Sequence, residues 1–233
     1  PVVEIMPYQI EVGGNYSKLS NGYLDGGVYV AAEMALAKRN NIYGAVRKEN
    51  RYTMNDREFS GGFYSPLNDY AALVVEGSMS PEHHFLPIRS LLGQVEYMGE
   101  NEWSATVGLR HSAYNKVLVN SLIMTAEHFF GNYRVAYTRY QSFLSGNGTT
   151  NSNQVLAAKY YGDHNWVGVT FSNGKELETI AATQVLNSQV RTRTISGRHW
   201  LTPSVALVYT VGNYHQGIFY TRNGLQLGLR YQF

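Results

Sequence analysis

The final residues of the chain, NGLQLGLRYQF at 223–233, set apolar and polar side chains at alternate positions. The apolar positions are Leu225, Leu227, Leu229, Tyr231 and Phe233. Successive side chains of a β-strand point to opposite faces, so this segment predicts a strand with one apolar and one polar face. Such a strand fits a soluble sheet, whose apolar face packs on a core, or a membrane barrel, whose apolar face contacts lipid.

The same two-residue period recurs along the chain, in segments of about ten residues that end at Gly, Asn, Asp, Ser or Pro. In WSATVGLRHSAY at 103–114, for example, Trp103, Ala105 and Val107 alternate with polar residues. The sequence shows no sustained 3.6-residue period with caps, so no long helix is predicted. The pattern predicts an all-β fold with fourteen candidate strands, at 8–19, 25–38, 41–53, 57–66, 70–80, 88–98, 102–114, 117–130, 133–144, 153–164, 166–174, 187–199, 203–214 and 219–233.

The composition excludes several classes of protein. The chain has 233 residues, of which 44% are hydrophobic, so it is expected to fold as one large domain or two small ones. Its 23 Gly and 19 Tyr favour β structure with many tight turns. With 19 Lys and Arg against 17 Asp and Glu, it lacks the basic excess of a nucleic-acid-binding protein. It has no cysteine, which excludes disulfides and cysteine-ligated metals.

The apolar runs exclude a membrane protein made of helices. The longest, such as YAALVV at 70–75, fall far short of the roughly 20 residues that a membrane-spanning helix requires. A membrane protein made of strands stays possible, because a strand needs only alternate apolar residues to cross the bilayer.

The lengths of the connections favour a membrane barrel. After even-numbered candidate strands they are short: RNN, LND, GEN, GN, DHN and LTP. Most connections after odd-numbered strands are longer, and they include PEHHFLPI, SGNGTTNSN and KELETIAATQVL, so 146–153 is expected to be an outward loop. Short periplasmic turns and longer outward loops are typical of outer-membrane barrels.

Aromatic residues close to the short turns favour the same fold. They predict an interfacial girdle composed of Trp103, Tyr133, Trp166, Trp200, Tyr231 and Phe233. We therefore expect a single domain at 1–233, a transmembrane antiparallel up-and-down β-barrel of fourteen strands, with twelve as the alternative. It would be integral to the Gram-negative outer membrane and in contact with outer-membrane lipid.

A few polar residues conflict with this alternation. Arg191 and Arg193 share the parity of Ile195, and Asn120 and Arg139 also fall on apolar parities. A bulge, a position at the barrel rim, a different register or a twelve-stranded barrel would each account for them.

The polar parity of the strands carries charged residues that are expected to line the lumen. They are Glu33, Glu76, Glu96, Arg110, Glu127, Arg134, Lys159 and Arg230. Their mixed signs fit two interpretations that the sequence leaves open: a wet track for a hydrophilic substrate, or an internal salt-bridge network that fills the barrel.

The last strand is expected to close the barrel. An unpaired strand edge in hydrocarbon would leave backbone groups without partners, so the last strand must pair with the first. The residues assigned to closure and to recognition by the barrel-assembly machinery are Leu227, Leu229, Tyr231 and Phe233.

Candidate catalytic and metal-binding residues are few. Adjacent strand residues such as His111 and Ser112 face opposite sides and cannot form a nucleophile–base pair directly. His128 has no recognisable partners, and the vicinal His83 and His84 lack a third metal ligand. We expect no catalytic residues, no metal and no cofactor.

A long segment at 128–178 resembles the YaiO family of outer-membrane barrels. The similar motifs are FGNYR at 130–134, YTR at 137–139 and YYGD at 160–163, and the resemblance is best over roughly 100–233. It implies an outer-membrane location and, since family members are associated with exopolysaccharide biosynthesis, a conduit for polysaccharide export with a periplasmic partner. A closed barrel with a structural or surface-interaction role and a lipid-modifying enzyme are the alternatives.

Overall fold

The alternating segments form one sheet of antiparallel strands that closes on itself. The computed structural model describes residues 7–36, 39–146, 148–162, 164–181 and 184–233, with side chains except at 176–181 and 184–187. Among the described residues, no helix has the length and hydropathy needed to cross a membrane. The strands are β1 (Tyr8–Leu19), β2 (Leu24–Ala35), β3 (Asn41–Arg51), β4 (Met54–Pro66), β5 (Ala71–Met79), β6 (Arg89–Met98), β7 (Trp103–Ala113), β8 (Leu118–Phe130), β9 (Tyr133–Leu144), β10 (Gly148–Tyr161), β11 (Asn165–Ala181), β12 (Gln184–Trp200), β13 (Val205–Gln216) and β14 (Tyr220–Gln232).

Each strand pairs with its neighbours in sequence, and β14 pairs with β1 to close the barrel. At the seam, Tyr8 N donates to Phe233 O over 3.1 Å and Phe233 N donates to Tyr8 O over 3.0 Å. The prediction of a closed fourteen-stranded antiparallel barrel is confirmed, and the twelve-stranded alternative is excluded.

The apolar parity faces outward. Leu225, Leu227 and Leu229 are 42%, 47% and 56% exposed, whereas Gly228 between two of them is buried and Arg230 is half-buried. In a soluble sheet the apolar face would be the covered one. Here the face that needs an apolar environment has no protein layer over it, as lipid contact requires.

The prediction of several long loops at one end is wrong. Residues 148–153 belong to β10, and β11 and β12 extend to Ala181 and Gln184. The segment at 148–153 carries polar residues on both faces. Thr150 and Ser152 are buried toward the lumen, and Asn151 is exposed on the outside. Only the connection at 80–88 is long among the described ones, and we call the end that carries it the upper end.

The polar residues that conflicted with the alternation lie on outward parities in unbroken ladders. Arg191 lies opposite His215, Arg193 opposite Asn213, and Arg139 opposite Asn153. These residues lie in the upper part of the barrel, so a position near the rim, rather than a bulge, accounts for them.

The predicted aromatic girdle is confirmed at four of its six residues. Trp103, Tyr133, Tyr231 and Phe233 are exposed on the outside at the lower end. Phe233 stacks on Tyr8 with ring centroids 5.6 Å apart.

Trp166 and Trp200 are exceptions, because both fall on the lumen-facing parity. Trp166 lies directly opposite Arg198, and the Arg198 guanidinium is 5.8 Å from the Trp200 ring. The two indoles therefore belong to the lower part of the lumen and not to the lipid interface.

Candidate functional site

The lumen is lined unequally. Lumen-facing positions of β14 and of β1–β7 carry many ionised side chains, which we call the charged wall. Its members include Glu11, Glu33, Arg47, Glu49, Asp56, Glu58, Glu76, Glu96, Arg110 and Arg230. On the lumen-facing positions of β8–β13 whose side chains are described, Ser and Thr are the commonest polar residues, and ionised side chains are few: Glu127, Arg134 and Arg198.

The charged wall is held by ion pairs between neighbouring strands. In its lower half, Arg230 Nε donates to Glu11 over 2.8 Å, and the Tyr29 hydroxyl donates to the same carboxylate over 2.6 Å. Glu11 is only 9% exposed, so this carboxylate depends on both donors.

Two further pairs lie along the same wall. Arg110 contacts Glu76 over 3.3 Å, and the Tyr43 hydroxyl lies 3.4 Å from the second Glu76 oxygen. Arg47 pairs with Glu58 over 2.9 Å. Guanidinium groups thus neutralise three carboxylates of this wall, those of Glu11, Glu58 and Glu76.

Most of the predicted lumen residues do face the lumen. Glu33 accepts a hydrogen bond from Asn41 over 3.3 Å. Glu96 is half-buried on the lumen-facing parity, and no hydrogen bond or ion pair joins it to another described residue. On β8 and β9, Arg134 Nε donates to Glu127 over 2.7 Å.

Lys159 does not face the lumen, and its assignment there is wrong. It is exposed on the outer face, with Nζ 5.8 Å from the ring centre of Tyr133. The lumen-facing residues of β10 beside Lys159 are Leu156, Ala158 and Tyr160, so the parity that carries Lys159 points outward. Lys159 lies near the lower end, where its ammonium group can reach the membrane surface.

The opposite side of the lumen forms a hydroxyl wall, defined as the lumen-facing Ser and Thr residues of β8–β13. They include Ser121, Thr125, Thr138, Ser142, Thr150, Ser152, Thr170, Ser172, Thr192, Thr194, Ser196 and Thr210. Two pairs are hydrogen-bonded across strands: the hydroxyls of Ser121 and Ser142 are 2.7 Å apart, and those of Thr125 and Thr138 are 2.9 Å apart. Because a hydroxyl both donates and accepts, such pairs can exchange partners without leaving a charge unpaired.

A cavity of about 320 Å³ lies against the upper part of this wall. Its lining includes Tyr140, Ser142, Thr150, Ser152, Gln154 and Ser172. An aromatic ring, several neutral hydrogen-bonding groups and the Lys175 ammonium group border this space, which suits a polyhydroxylated ligand.

The connection at 80–88, which we call the constriction loop, folds into the upper lumen. Its anchor is Asp56, a fully buried carboxylate at the start of β4. The backbone N–H groups of His84, Phe85 and Leu86 donate to this carboxylate over 2.9, 2.9 and 2.8 Å.

Side chains hold the loop on both sides of its anchor. The Arg51 guanidinium is 5.1 Å from the Phe85 ring centre, and Phe85 is only 5% exposed. Outside the barrel, Arg57 forms an ion pair with Glu82. Asn115 donates from its side chain to His83 O over 3.2 Å. The loop is therefore a packed element of the mouth.

The constriction loop leaves a cavity between itself and the facing strands. This space of about 250 Å³ has Phe85 and Leu86 on one side and Tyr214, Arg222 and Gln226 among its other lining residues. A second space of about 210 Å³ lies in the lower half, beside Glu11, Glu33, Tyr43 and Arg230. The lumen thus retains space both beside the constriction loop and below it.

The histidines mostly make structural contacts. His84 Nδ1 lies 2.7 Å from Asp56, and this hydrogen bond raises the pKa of His84 above its usual range. His83 Nδ1 lies 2.8 Å from Pro81 O. Among the described residues, no three His, Asp or Glu side chains are grouped closely enough to hold a metal ion.

The candidate catalytic residues lie on different faces. His111 Nδ1 is 2.7 Å from Asn120 Oδ1 on the outside, while the Ser112 hydroxyl is 3.0 Å from that of Ser90 on the lumen side. His128 stacks against Trp103 at 4.5 Å. Among the described residues, no hydrogen bond joins the Ser112 hydroxyl to a base.

Sequence reasoning missed Asp56, Glu11 and the constriction loop. One signal was available: PEHHFLPI is rich in apolar residues for a loop exposed to water, and Phe85 is its most buried side chain. Such a segment calls for an apolar environment, which here is the barrel interior.

The sequence matches a known family over most of its length. The family described as YaiO membrane beta barrel domain matches residues 7–178. The chain belongs to the YaiO family. The match includes the N-terminal strands, where the motif resemblance is fainter, and it ends within β11. No curated protein matches this YaiO-family chain significantly.

Solved structures with the same fold are outer-membrane pores. A bacterial polysaccharide outer membrane secretin is similar with a TM-score of 0.66 at 9% identity, over 98% of this chain and 99% of that one. The CymD monoaromatic hydrocarbon channel is similar with a TM-score of 0.59 at 8% identity, over 98% of this chain and 89% of that one. An anion-selective porin from Comamonas acidovorans has a TM-score of 0.53 at 11% identity, over 97% and 98% of the two chains.

At such low identities these likenesses show the fold alone. With the family match, they establish that this YaiO-family barrel is an integral outer-membrane protein that resembles porins and channels. The predicted location is confirmed.

Proposed function

We propose that this barrel is a narrow passive channel for uncharged hydrophilic solutes, with exopolysaccharide chains or their fragments as the expected cargo. The observation that supports it is the unequal lining of the lumen. In the charged wall, guanidinium groups hold Glu11, Glu58 and Glu76, whereas the hydroxyl wall offers neutral donors and acceptors along the other side. Sugar hydroxyl groups can replace such partners one for one.

Seven of the predicted lumen residues keep a role in this proposal, and Lys159 does not. These carboxylates and guanidinium groups keep the path hydrated, and the pairs among them discourage the passage of either sign of ion. The residues are Glu33, Glu76, Glu96, Arg110, Glu127, Arg134 and Arg230.

Uptake by reconstituted vesicles tests the proposal. Proteoliposomes that contain the barrel are expected to admit a neutral trisaccharide several times faster than a tricarboxylated oligosaccharide of the same length. Replacing Ser152 by Leu, which intrudes on the hydroxyl-wall cavity, should slow uptake of the neutral sugar. Lys159→Gln, on the outer face of the barrel, serves as the control and should leave that uptake unchanged. Equal uptake of the two sugars would contradict the proposal.

A closed barrel with a structural or surface-interaction role is the second candidate. The constriction loop favours it, since its anchor Asp56 is fully buried and accepts three backbone hydrogen bonds. Planar-bilayer recordings separate the two candidates. The absence of current in both the native barrel and an Asp56→Ala variant would support the closed barrel.

We propose no enzymatic step, because His111 and Ser112 lie on opposite faces of β7. A periplasmic export partner fits the proposed conduit, with the short-turn lower end as its docking side.

We also propose that Leu227, Leu229, Tyr231 and Phe233 form the signal for the barrel-assembly machinery. Deleting Phe233 removes its stacking on Tyr8 and the seam hydrogen bonds. The folded fraction in the outer membrane, measured by heat-dependent gel mobility, should fall several-fold. A deletion variant that assembles at the native level would contradict this role.

A further inference from the structure

The outer face of the barrel changes from apolar to polar between two neighbouring rungs of the sheet. In this description a rung is a set of residues directly opposite one another on adjacent strands. The last apolar rung consists of Val169, Ile195, Val211, Leu225 and Tyr16. The next rung toward the upper end consists of Phe171, Arg193, Asn213, Asn223 and Lys18.

The polar character continues above this rung, where Asn173, Arg191, His215 and Thr221 lie opposite one another. Lipid acyl chains cover an apolar band, and head groups begin where that band ends. The change between the two rungs therefore sets the level at which β11–β14 and β1 meet the head groups of the outer leaflet.

A groove of about 560 Å³ lies on the outer wall at this level, and we call it the rim groove. Its floor is apolar and includes Phe171, Ile195, Val211 and Leu225. Its upper edge holds Arg193, Asn213 and Asn223, and the two Asn side chains are hydrogen-bonded over 2.8 Å. A single groove thus combines space for hydrocarbon with a cation at head-group height.

The cations beside the groove have no acidic partner among the described residues. Arg193 and Arg191 are both exposed on the outer face, one rung apart, and neither forms an ion pair there. Lys18 ends the same rung as Arg193. Guanidinium groups bind phosphate oxygens through paired, charge-assisted hydrogen bonds.

We propose that the rim groove binds the phosphorylated, multiply acylated glycolipid of the outer leaflet, with acyl chains on the floor and a phosphate at Arg193 and Arg191. The charge of the groove favours this lipid over a second copy of the chain. In a two-fold symmetric dimer through this face, each copy would bring the same arginines toward the other.

Native mass spectrometry in detergent tests the proposal with purified diphosphorylated lipid A as the probe. Arg193→Gln should weaken binding about tenfold, and the double variant Arg191→Gln/Arg193→Gln should weaken it further. Arg139→Gln removes an outward arginine of the upper barrel that lies outside the groove. That control should bind like the native protein.

Three outcomes would overturn the proposal: unchanged binding by the double variant, equal binding of fully dephosphorylated lipid A, or a dimer that lipid A does not dissociate. The variants lie on the outer surface of the barrel. Heat-dependent gel mobility shows whether each of them folds. Should Arg193→Gln fail to fold, Arg193→Lys keeps the charge but loses the paired donors, and it should still weaken binding several-fold.

Discussion

The two walls of the lumen occupy equivalent positions in their strands but satisfy their polar groups differently. In the charged wall, Glu11 is nearly buried and relies on Arg230 and Tyr29. In the hydroxyl wall, Thr125 and Thr138 satisfy each other. Removing one partner of a buried ion pair costs about 3–5 kcal/mol, whereas a lost neutral hydrogen bond costs about 1 kcal/mol. The charged wall is therefore a rigid support, and the hydroxyl wall is the side on which partners can be exchanged.

The largest expected effect on the pore comes from releasing the constriction loop from the charged wall. Asp56→Ala removes the acceptor of three backbone N–H groups, and each charge-assisted bond contributes about 1.5–3 kcal/mol. The loop should leave the lumen, and single-channel conductance should rise several-fold. Glu58→Gln alters another carboxylate of the same wall that does not contact the loop, and its conductance should stay near the native value. Equal conductance for Asp56→Ala and the native barrel would show that the loop does not limit the pore.

A smaller effect is expected from matched changes in the two walls. Arg230→Met leaves Glu11 with Tyr29 as its remaining strong donor and should lower the free energy of unfolding by about 3 kcal/mol. Thr138→Val removes a neutral bond to Thr125 and should cost about 1 kcal/mol. Guanidinium unfolding in detergent, followed by tryptophan fluorescence, measures both.

A double variant sharpens the same comparison. In Glu11→Gln/Arg230→Met, no buried charge is left unpaired, so most of the lost stability should return. If Thr138→Val proved as costly as Arg230→Met, the distinction between a rigid and an exchangeable wall would be wrong.

The smallest expected effect is a change of conductance with pH. The hydrogen bond to Asp56 raises the pKa of His84 above its unfolded value, so this contribution is fully present below the unfolded pKa. It is lost as pH rises through the folded pKa, and the loop should then be held less tightly. Conductance should increase as the pH rises above about 6.5, the ordinary pKa of histidine, and by less than about twofold because the His84 side chain is about half exposed. In His84→Gln the dependence should be flat, and a decrease with rising pH in the native barrel would contradict the assignment.

Particular residues show where sequence reasoning reached its limit. In QVLAAKYYG at 154–162, both parities contain apolar residues, so composition could not decide which of them faces lipid. The ladder decides it, because Val155 lies opposite Tyr137 and Phe171, both exposed on the outside. A shift of one residue reverses every side chain of a strand, and this is why Lys159 was assigned to the wrong face.

The anchor of the constriction loop was out of reach for a different reason. Asp56 and the loop residues it holds lie 28 to 30 positions apart in sequence. Nothing local to either segment indicates the contact, which arises because β4 and β5 are neighbours and the loop turns inward instead of outward.

The alternation of apolar and polar residues determined by itself the all-β class, the approximate positions of the strands and, in most strands, which face is apolar. Each of these follows from a period of two within one segment, and hydrocarbon tolerates only one of the two faces. Only the tertiary structure decided which charges pair across strands, which aromatic rings lie in the lumen and where the loop at 80–88 goes. Those outcomes depend on register and on contacts between distant segments, and a local pattern carries no record of either.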